Sequence, residues 1–426
     1  MADKLAILGG KPVISKKDDY MFHWPVVNEA MKKASTKVLE EGAMSGTDRS
    51  REFEDRFAKW NGRKYALSFP NGTSALLTSF WALGIGKGDE VICTTLTYWA
   101  SCLPAATLGA KVVFCDCQRD TLCMDPKDFE AKITKKTKAV IVVHLSAHPC
   151  DMDAIMAIAK KHHLAVIEDV SHAQGGMYKG KMLGTFGDVA AMSLMAGKSF
   201  AIGEGGIALV DDYELYRKMI RYGHYDRIPQ HFSADEIKLT KNLPFGAFKH
   251  RLNQCASAVG LEQLKKYPRE CKKIEKAMLY FWKQLKDIRG IGLIYPKWEK
   301  SNKAGWYASR FSYDPEAFDG LTNITFSRAL SAEVGGGVNP GGYQPLHMSS
   351  LFGKKQGPFP VADKINQWMI GDLWFKHFDK KLLDLHVAAF RKVCDNWKEL
   401  KALDKGVKPY DGGAGLSDFE KKKLKK

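Results

Sequence analysis

The sequence contains no apolar run that approaches the roughly 20 residues of a membrane-spanning helix. Its first residues, Met1 to Ser15, lack the apolar core of a secretion signal. These two absences argue against a membrane protein and favour a cytoplasmic one. The nine cysteines include one Cys-x-Cys pair, Cys115 and Cys117, at the end of an alternating apolar segment. Because no second such pair completes a metal site, buried reduced thiols are the favoured interpretation.

Acidic residues are in the minority, 48 against 65 basic ones, and the formal net charge is +17. A basic surface favours anionic partners such as nucleic acid, a membrane or a phosphorylated ligand. No nucleic-acid-binding motif is visible, and part of the excess lies in a lysine-rich terminal run, Lys421 to Lys426, that is expected to be a solvated tail. We therefore expect a phosphorylated cofactor or a nucleotide-linked substrate, and neither nucleic acid nor membrane as a partner.

The chain of 426 residues is too long for one ordinary core, so two domains are expected. The predicted strands of the first are Tyr65–Ser68, Val91–Thr94, Val112–Cys115, Ala139–Val143, Leu164–Glu168, Val189–Leu194 and Gly206–Val210. The helices predicted between them include Ser74–Leu83, Pro126–Ala131 and Asp153–His162. Apolar strands separated by helices indicate an α/β fold with a mostly parallel sheet. The last two strands leave little room for a helix and are expected to pair and close one side of the sheet.

The pattern changes near Leu261. A long lysine-rich amphipathic helix is predicted over Leu264–Ile288 and another near Leu382–Lys401, with shorter mixed segments between them, which indicates a smaller α+β domain. The predicted division is an N-terminal arm and large domain over 1–260, a small C-terminal domain over 261–405 and a basic tail over 406–426. Glycine-rich stretches at 335–337 and 341–342 predict a loop that borders the functional site.

Three segments carry candidate chemistry, and the first is the turn Asn71-Gly72-Thr73-Ser74 between a predicted strand and a helix. A helix start presents free backbone N–H groups and the positive end of the helix dipole, which together bind phosphate. Serine and threonine are also common helix caps, so this turn taken alone is more often structural.

The second segment is an apolar strand that runs into Glu168, Asp169 and His172. A carboxylate at the carboxyl end of a buried parallel strand lies where α/β proteins bind ligands. In enzymes that use pyridoxal 5′-phosphate (PLP), such a carboxylate pairs with the pyridine nitrogen and keeps the ring an electron sink. Taken alone, Asp169 is more often a loop or cap residue, and His172 a packed or surface histidine.

The third segment, Ser193 to Gly206, is apolar and glycine-rich and contains Lys198. Loss of water around a lysine in such a stretch would lower its pKa and favour the neutral amine that forms a Schiff base. One lysine among 65 basic residues is weak evidence by itself.

In their order and spacing, the three segments together resemble the DegT/DnrJ/EryC1/StrS family of sugar aminotransferases, a branch of the fold-type I PLP enzymes. The resemblance extends from Ala43-Met44-Ser45-Gly46 to Pro345-Leu346-His347 and includes the segments 84–91 and 151–153. It implies a three-layer α/β fold with a mostly parallel seven-stranded sheet and a smaller C-terminal α+β domain. It also implies PLP as the cofactor and a homodimer with shared active sites.

The resemblance also implies roles for particular residues. Lys198 matches the lysine that holds PLP as a Schiff base, the internal aldimine, and moves protons during catalysis; Asp169 matches the partner of the pyridine nitrogen. His172 matches a Gln or His position beside the cofactor ring. Tyr98 matches the aromatic residue that stacks on the ring, with Trp99 as the nearby alternative. The positions that match phosphate-binding residues are Gly72, Thr73 and Ser193.

Two segments depart from the family pattern. Where relatives carry an asparagine that reaches the partner subunit's cofactor phosphate, this chain has Lys249, which would bind phosphate as a point charge. The following His250 takes an aromatic position and is interpreted as a packing residue. Ser146-Ala147-His148-Pro149 replaces the usual Tyr-Gly-Gln-Pro, which suggests an unusual substrate.

The implied reaction is a ping-pong transamination. An amino donor, expected to be Glu or Gln, aminates the cofactor, and a keto sugar or keto cyclitol then accepts the amine. The basic charge favours a nucleotide-linked sugar.

Three alternatives are weighed against this reaction. Related sugar 3-dehydratases carry histidine in place of the Schiff-base lysine, so Lys198 argues against that activity. The intact set of Asp169, His172 and Lys198 argues against a PLP-binding regulatory protein without turnover. A basic nucleic-acid-binding protein has no motif to support it.

Overall fold

The structure, a computed structural model, describes residues 4–15, 19–238, 248–353 and 356–410. Its strands are β1 (Tyr65–Phe69), β2 (Glu90–Thr94), β3 (Lys111–Cys115), β4 (Thr137–Val143), β5 (Ala165–Asp169), β6 (Met177–Tyr178), β7 (Lys181–Met182), β8 (Val189–Ser193), β9 (Gly206–Val210), β10 (Ile291–Leu293), β11 (Arg310–Tyr313) and β12 (Met369–Gly371). Seven of them form the central sheet in the order β1-β9-β8-β5-β4-β2-β3. Neighbours from β8 to β3 are parallel, and β9 pairs antiparallel with both β8 and β1. The mostly parallel seven-stranded α/β sheet is thus confirmed.

The predicted strands of the central sheet lie where the sequence places them, with ends displaced by at most two residues. Their central residues are buried because both faces of the sheet are covered by helices. The pairing of the last two strands is confirmed, but their predicted place at one side of the sheet is wrong. β9 lies inside the sheet and β1 forms its edge. The reason is a long-range pairing of β1 with β9, which local sequence patterns do not reveal.

The helices are α1 (Asp19–Phe22), α2 (Glu29–Glu40), α3 (Asp48–Asn61), α4 (Gly72–Ala82), α5 (Leu103–Thr107), α6 (Pro126–Ala131), α7 (Met152–Lys161), α8 (Tyr213–Gly223), α9 (Ile228–His231), α10 (Ala234–Lys238), α11 (Gln254–Lys283), α12 (Asn323–Glu333) and α13 (Lys380–Asp395). Several begin at side chains that accept a backbone N–H of the first turn, as with Asn71, Asp151 and Asp212. The bounds predicted for α6 are those observed, and the ends predicted for α4 and α7 differ by one or two residues.

The long helix α11 begins well before its predicted start at Leu264. Asn253 caps it, because its side chain accepts the N–H of Ala256 at 2.8 Å. Gly260 allows close packing on α3, since a Cβ there would lie 2.7 Å from Cε2 of Phe53. A helix start set by a polar cap upstream of the amphipathic stretch explains the difference from the prediction.

α11 connects two cores. Its first half contributes Leu261 and Tyr267 to a core against the central sheet, and its second half contributes Ile274 and Phe281 to a C-terminal core. The helix therefore runs across the boundary predicted at residues 260 and 261. The division into two domains stays a prediction.

The C-terminal core is built on the antiparallel sheet β10-β11-β12 together with α12 and α13. The helix predicted near Leu382–Lys401 is α13 followed by a 3-10 turn over Trp397–Ala402. Two residues of the N-terminal arm, Leu5 and Met21, are buried in this core. The arm thus packs against the C-terminal half, whereas the predicted division groups it with the large domain.

Cys115 and Cys117 are buried with free thiols, as predicted. The C-terminal tail beyond residue 410 lies outside the described residues, as does most of the segment that precedes Lys249. Within the described ranges, no helix has the length and apolarity required to cross a membrane.

Candidate active site

A cavity of about 380 Å³ lies where the carboxyl ends of β5 and β8 face the start of α4. Its lining includes Gly72, Thr73, Tyr98, Asp169, His172, Ser193, Lys198, Glu204, Tyr307 and Tyr343. Seven of the eight predicted site residues therefore share one cavity, and the eighth, Lys249, does not line it. This placement follows from the parallel sheet, because parallel strands end at the same edge.

Asp169 is the last residue of β5 and is 5% exposed. Its Oδ2 accepts a hydrogen bond from the Ser101 hydroxyl at 2.7 Å, and its Oδ1 accepts the backbone N–H of Ser171 at 3.0 Å. The Ser101 hydroxyl also lies 3.0 Å from that of Thr97. These bonds orient the carboxylate in the cavity and compensate in part for its burial.

Lys198 presents its amine to the same cavity. Burial lowers the pKa of this amine to about 8, and the nearby Asp169 carboxylate opposes that shift. Its Nζ lies 4.4 Å from the centroid of the Tyr307 ring. The indole N–H of Trp24 donates to the Lys198 carbonyl at 2.8 Å. Near physiological pH the neutral fraction of this amine is far larger than that of an ordinary lysine, which suits a nucleophile or a proton acceptor.

His172 is held as a neutral imidazole. Burial, followed by the charges of Lys198 and Arg310, keeps its pKa well below the usual value. The backbone N–H of Ser146 donates to its Nδ1 at 3.3 Å, so Nδ1 carries no proton and Nε2 does. Ser146 adopts a left-handed conformation with φ of 53°. The Ser146–Pro149 segment that departs from the family pattern thus fixes the tautomer of a site residue.

Gly72 and Ser193 bring the start of α4 against the end of β8. A Cβ on Gly72 would lie 2.8 Å from Cβ of Ser193, so glycine is needed for this close approach. The Asn71 side chain accepts the N–H of Ser74. The Thr73 side chain and the other N–H groups of the first turn lie at the cavity, with the positive end of the helix dipole.

Aromatic side chains form the remaining wall. Tyr98 is 39% exposed and lies 5.8 Å from Tyr343, ring centroid to centroid. Tyr307 packs edge-on against His172 at 4.7 Å. Trp99, the alternative to Tyr98, does not line the cavity. Tyr343 directly follows the glycine pair 341–342, so the predicted border loop does reach the site.

Lys249 is exposed and forms an isolated backbone bridge with His224. Its predicted contact with the cofactor phosphate of a partner subunit stays a prediction. His250 stacks on Phe248, with ring centroids 5.2 Å apart, which agrees with its interpretation as a packing residue.

Sequence reasoning missed Ser101, Trp24, Tyr307 and Tyr343. Ser101 follows Tyr98 by one turn, so a search for hydroxyl groups near the predicted stacking residue could have found it. Tyr307 and Tyr343 belong to the C-terminal half, and Trp24 to the N-terminal arm. No local pattern links these three to Lys198, because only the packing of the two halves brings them there.

The fold and this cavity define an aminotransferase of the PLP-dependent class. The sequence profile of the DegT/DnrJ/EryC1/StrS aminotransferase family matches residues 25–377. The chain belongs to this family.

Three similar proteins illustrate its range. GDP-perosamine synthase of Escherichia coli O157:H7 is 33% identical over 316 residues, 74% of this chain and 81% of that protein. L-glutamine:2-deoxy-scyllo-inosose aminotransferase of Streptoalloteichus tenebrarius is 31% identical over 367 residues, 82% of this chain and 83% of that protein. The solved structure of an aminotransferase from Psychrobacter cryohalolentis has a TM-score of 0.77 and 28% identity, and the match covers 88% of this chain and 99% of that one. The first of these proteins is named for the synthesis of GDP-perosamine, and the second for amino transfer between L-glutamine and 2-deoxy-scyllo-inosose.

Proposed function

We propose that this protein moves an amino group from Glu or Gln to the ketone of a sugar or cyclitol, with PLP bound in the cavity described above. The observation that carries the proposal is the convergence of Lys198, Asp169 and the start of α4 on one cavity. The buried amine of Lys198, with its pKa lowered to about 8, suits the aldehyde of PLP. The buried Asp169 carboxylate suits the pyridine nitrogen, and the helix start opened by Gly72 suits the phosphate.

When bound, PLP supplies an electron sink that stabilises negative charge at the carbon next to the amine. In this proposal, Asp169 would keep the pyridine nitrogen protonated, and Gly72, Thr73 and Ser193 would hold the phosphate. Tyr98 would cover one face of the ring. The Nε2–H of His172 would donate a hydrogen bond toward the cofactor, since Nδ1 accepts the Ser146 N–H.

Lys198 is the proton carrier. Its Nζ would take the proton from the α carbon of the amino donor and would later give a proton back, so that one side chain serves as base and as acid. A pKa near 8 suits both directions, because the protonated and the neutral amine are both present near neutral pH. The exchange is ping-pong in this proposal, since one cavity serves the donor and then the ketone.

The acceptor is a ring ketone, either free or nucleotide-linked. Lys198 is the only lysine or arginine among the described residues that line the cavity, and His172 there is neutral. We propose a homodimer in which Lys249 of the neighbouring subunit binds the cofactor phosphate. A nucleotide diphosphate on the acceptor would need cations from outside this lining. A free cyclitol ketone would need no such cation.

The test is a spectroscopic one. We expect purified protein mixed with PLP to develop a visible band, to lose it on addition of Glu or Gln, and to regain it with a suitable ketone. Scyllo-inosose derivatives and nucleotide-linked keto sugars should be compared in the last step. A band that no amino donor removes would contradict transamination and favour a regulatory role, and the absence of a band would contradict PLP binding.

The subunit arrangement has its own test. Sedimentation should show a dimer. Lys249→Ala should weaken PLP binding, because the cofactor phosphate then loses a cation from the neighbouring subunit. A fully active monomer would contradict the shared site.

A further inference from the structure

The loop 304–308, which carries Tyr307, has an unusual backbone. Ala304, Trp306 and Ala308 all adopt left-handed conformations, with φ of 45°, 55° and 50°. Non-glycine residues in this region are strained, and such strain collects at functional sites. The loop therefore depends on its contacts with the surrounding structure.

Those contacts are made with the segment around Lys198. A Cβ on Gly305 would lie 2.3 Å from Cβ of Ser199, the residue after Lys198. The Gly305 carbonyl accepts the indole N–H of Trp374 at 2.8 Å, and the Trp306 side chain is fully buried. The loop is thus pressed against the lysine segment, and it leaves the Tyr307 ring in the cavity.

The Tyr307 ring contacts the Lys198 amine and two aromatic side chains. Nζ of Lys198 is 4.4 Å from its centroid. His172 packs on the ring edge at 4.7 Å, and Trp374 does so at 5.6 Å. Trp24 lies 5.7 Å from Trp374, and its indole also binds the Lys198 carbonyl. Trp24 therefore holds the backbone of Lys198, and Tyr307 contacts its amine.

We propose that Tyr307 is a positioning residue whose ring face holds the Lys198 amine whenever that amine is not bonded to the cofactor. The inference rests on the proposed function, in which Lys198 is free while it carries protons. The face of an aromatic ring attracts an ammonium group, most strongly where water is excluded. The ring would keep Nζ beside the reacting carbon and would support its protonated form.

Other titratable groups face the same amine. Burial lowers the pKa of Lys198, the Asp169 carboxylate opposes that shift, and the neutral His172 adds no charge. The Glu204 carboxylate lines the same cavity, as does the Tyr307 hydroxyl, whose own pKa is raised by burial. Substitution of Tyr307 by a residue without a ring leaves all the other groups in place, so a change can be assigned to the ring.

The experiment measures the amine in the protein without cofactor. The rate of PLP incorporation is followed by its visible band from pH 6 to 10, and the midpoint of this profile reports the pKa of Lys198. In Tyr307→Leu we expect the midpoint to fall by about one pH unit, because the ammonium loses its ring contact. The plateau rate at high pH belongs to the neutral amine, and we expect it to stay within about twofold. In Tyr307→Phe we expect both values to stay close to those of the unchanged protein.

The direction of the shift separates this role from simple packing. If Tyr307 only filled space, Tyr307→Leu would admit water and the midpoint would rise toward the ordinary lysine value. A rise, or no change, would overturn the proposal. Tyr307→Met provides a second variant without a ring if Tyr307→Leu fails to fold, as judged by circular dichroism.

A matched control comes from the C-terminal half, where Nζ of Lys276 lies 4.3 Å from the ring centroid of Phe378. Phe378→Leu removes the same kind of contact away from the cavity and should leave the profile unchanged. If the unchanged protein itself formed no band with PLP, the proposed function would fail, whereas an unshifted profile in Tyr307→Leu would refute only the role of Tyr307.

Discussion

The Ser101 hydroxyl donates to Oδ2 of Asp169 at 2.7 Å, and both residues are largely buried and line the cavity. Ser101 lies in the segment that follows β2, whereas Asp169 is the last residue of β5. The hydrogen bond therefore links the ends of two different strands at the same edge of the sheet. Hydrogen bonds to charged acceptors contribute about 1.5–3 kcal/mol, and this one also fixes the direction in which the carboxylate points.

We predict that Ser101→Ala weakens PLP binding by about tenfold. Without the serine hydroxyl, the Asp169 carboxylate is less well oriented to bind the pyridine nitrogen. Titration of the protein with PLP, followed by visible absorbance, measures the change. Ser101→Thr keeps the hydroxyl and should bind nearly as well as the unchanged protein. Equal affinity in Ser101→Ala would show that the serine is not needed to orient Asp169.

Lys198→Ala should abolish turnover, with a loss of at least a thousandfold in kcat, while the thermal unfolding curve stays cooperative. Lys198→Arg is the matched control, since it retains the positive charge but has no amine that can form a Schiff base. Both variants should lose activity, which stopped-flow absorbance with Glu or Gln can follow. Substantial turnover by either one would remove Lys198 from its assigned role.

His172 should contribute no step to the pH profile of the enzyme between about 6 and 7.5, because burial and neighbouring positive charges keep it neutral there. His172→Gln retains an N–H donor and should keep a profile of the same shape, with kcat within about tenfold. His172→Leu has no donor and should lose about a hundredfold. If the unchanged protein lost activity at low pH with a midpoint near the ordinary histidine pKa, and His172→Gln did not, then His172 would titrate there. That result would contradict a histidine that stays neutral.

A buried ion pair outside the cavity supports the fold. Arg227 donates from Nη1 to Oε2 of Glu54 at 2.6 Å, and both side chains are only 3% exposed. Glu54 also accepts from the N–H and hydroxyl of Ser68 on β1. Loss of one partner leaves a buried charge, so Glu54→Gln should lower the free energy of unfolding by about 3 kcal/mol.

Urea unfolding of Glu54→Gln measures that prediction, and Glu52→Gln on the same helix is the control. Glu52 pairs with Arg56 at 2.6 Å, but the two side chains are 40% and 51% exposed. Its loss should change stability by less than about 1 kcal/mol, since exposed ion pairs contribute little. Equal effects of the two substitutions would contradict a specific role for the buried pair.

The sequence alone determined the parallel sheet and the group of residues at its edge. The apolar strands and the position of Asp169 at a strand end are local features, and they were predicted within two residues. Because parallel strands end at one edge, the separate segments around Gly72, Asp169 and Lys198 had to meet once the sheet was recognised. The family resemblance then assigned roles to them.

The other residues that complete the cavity are brought there by packing between distant segments. Tyr307 and Tyr343 come from the C-terminal half and Trp24 from the N-terminal arm, and they approach Lys198 because α11 and the C-terminal core hold those parts against the sheet. The edge position of β1 and the Ser146 contact to His172 likewise arise from pairings between distant segments. A local pattern records how one segment folds, whereas these contacts depend on how separately folded segments pack together.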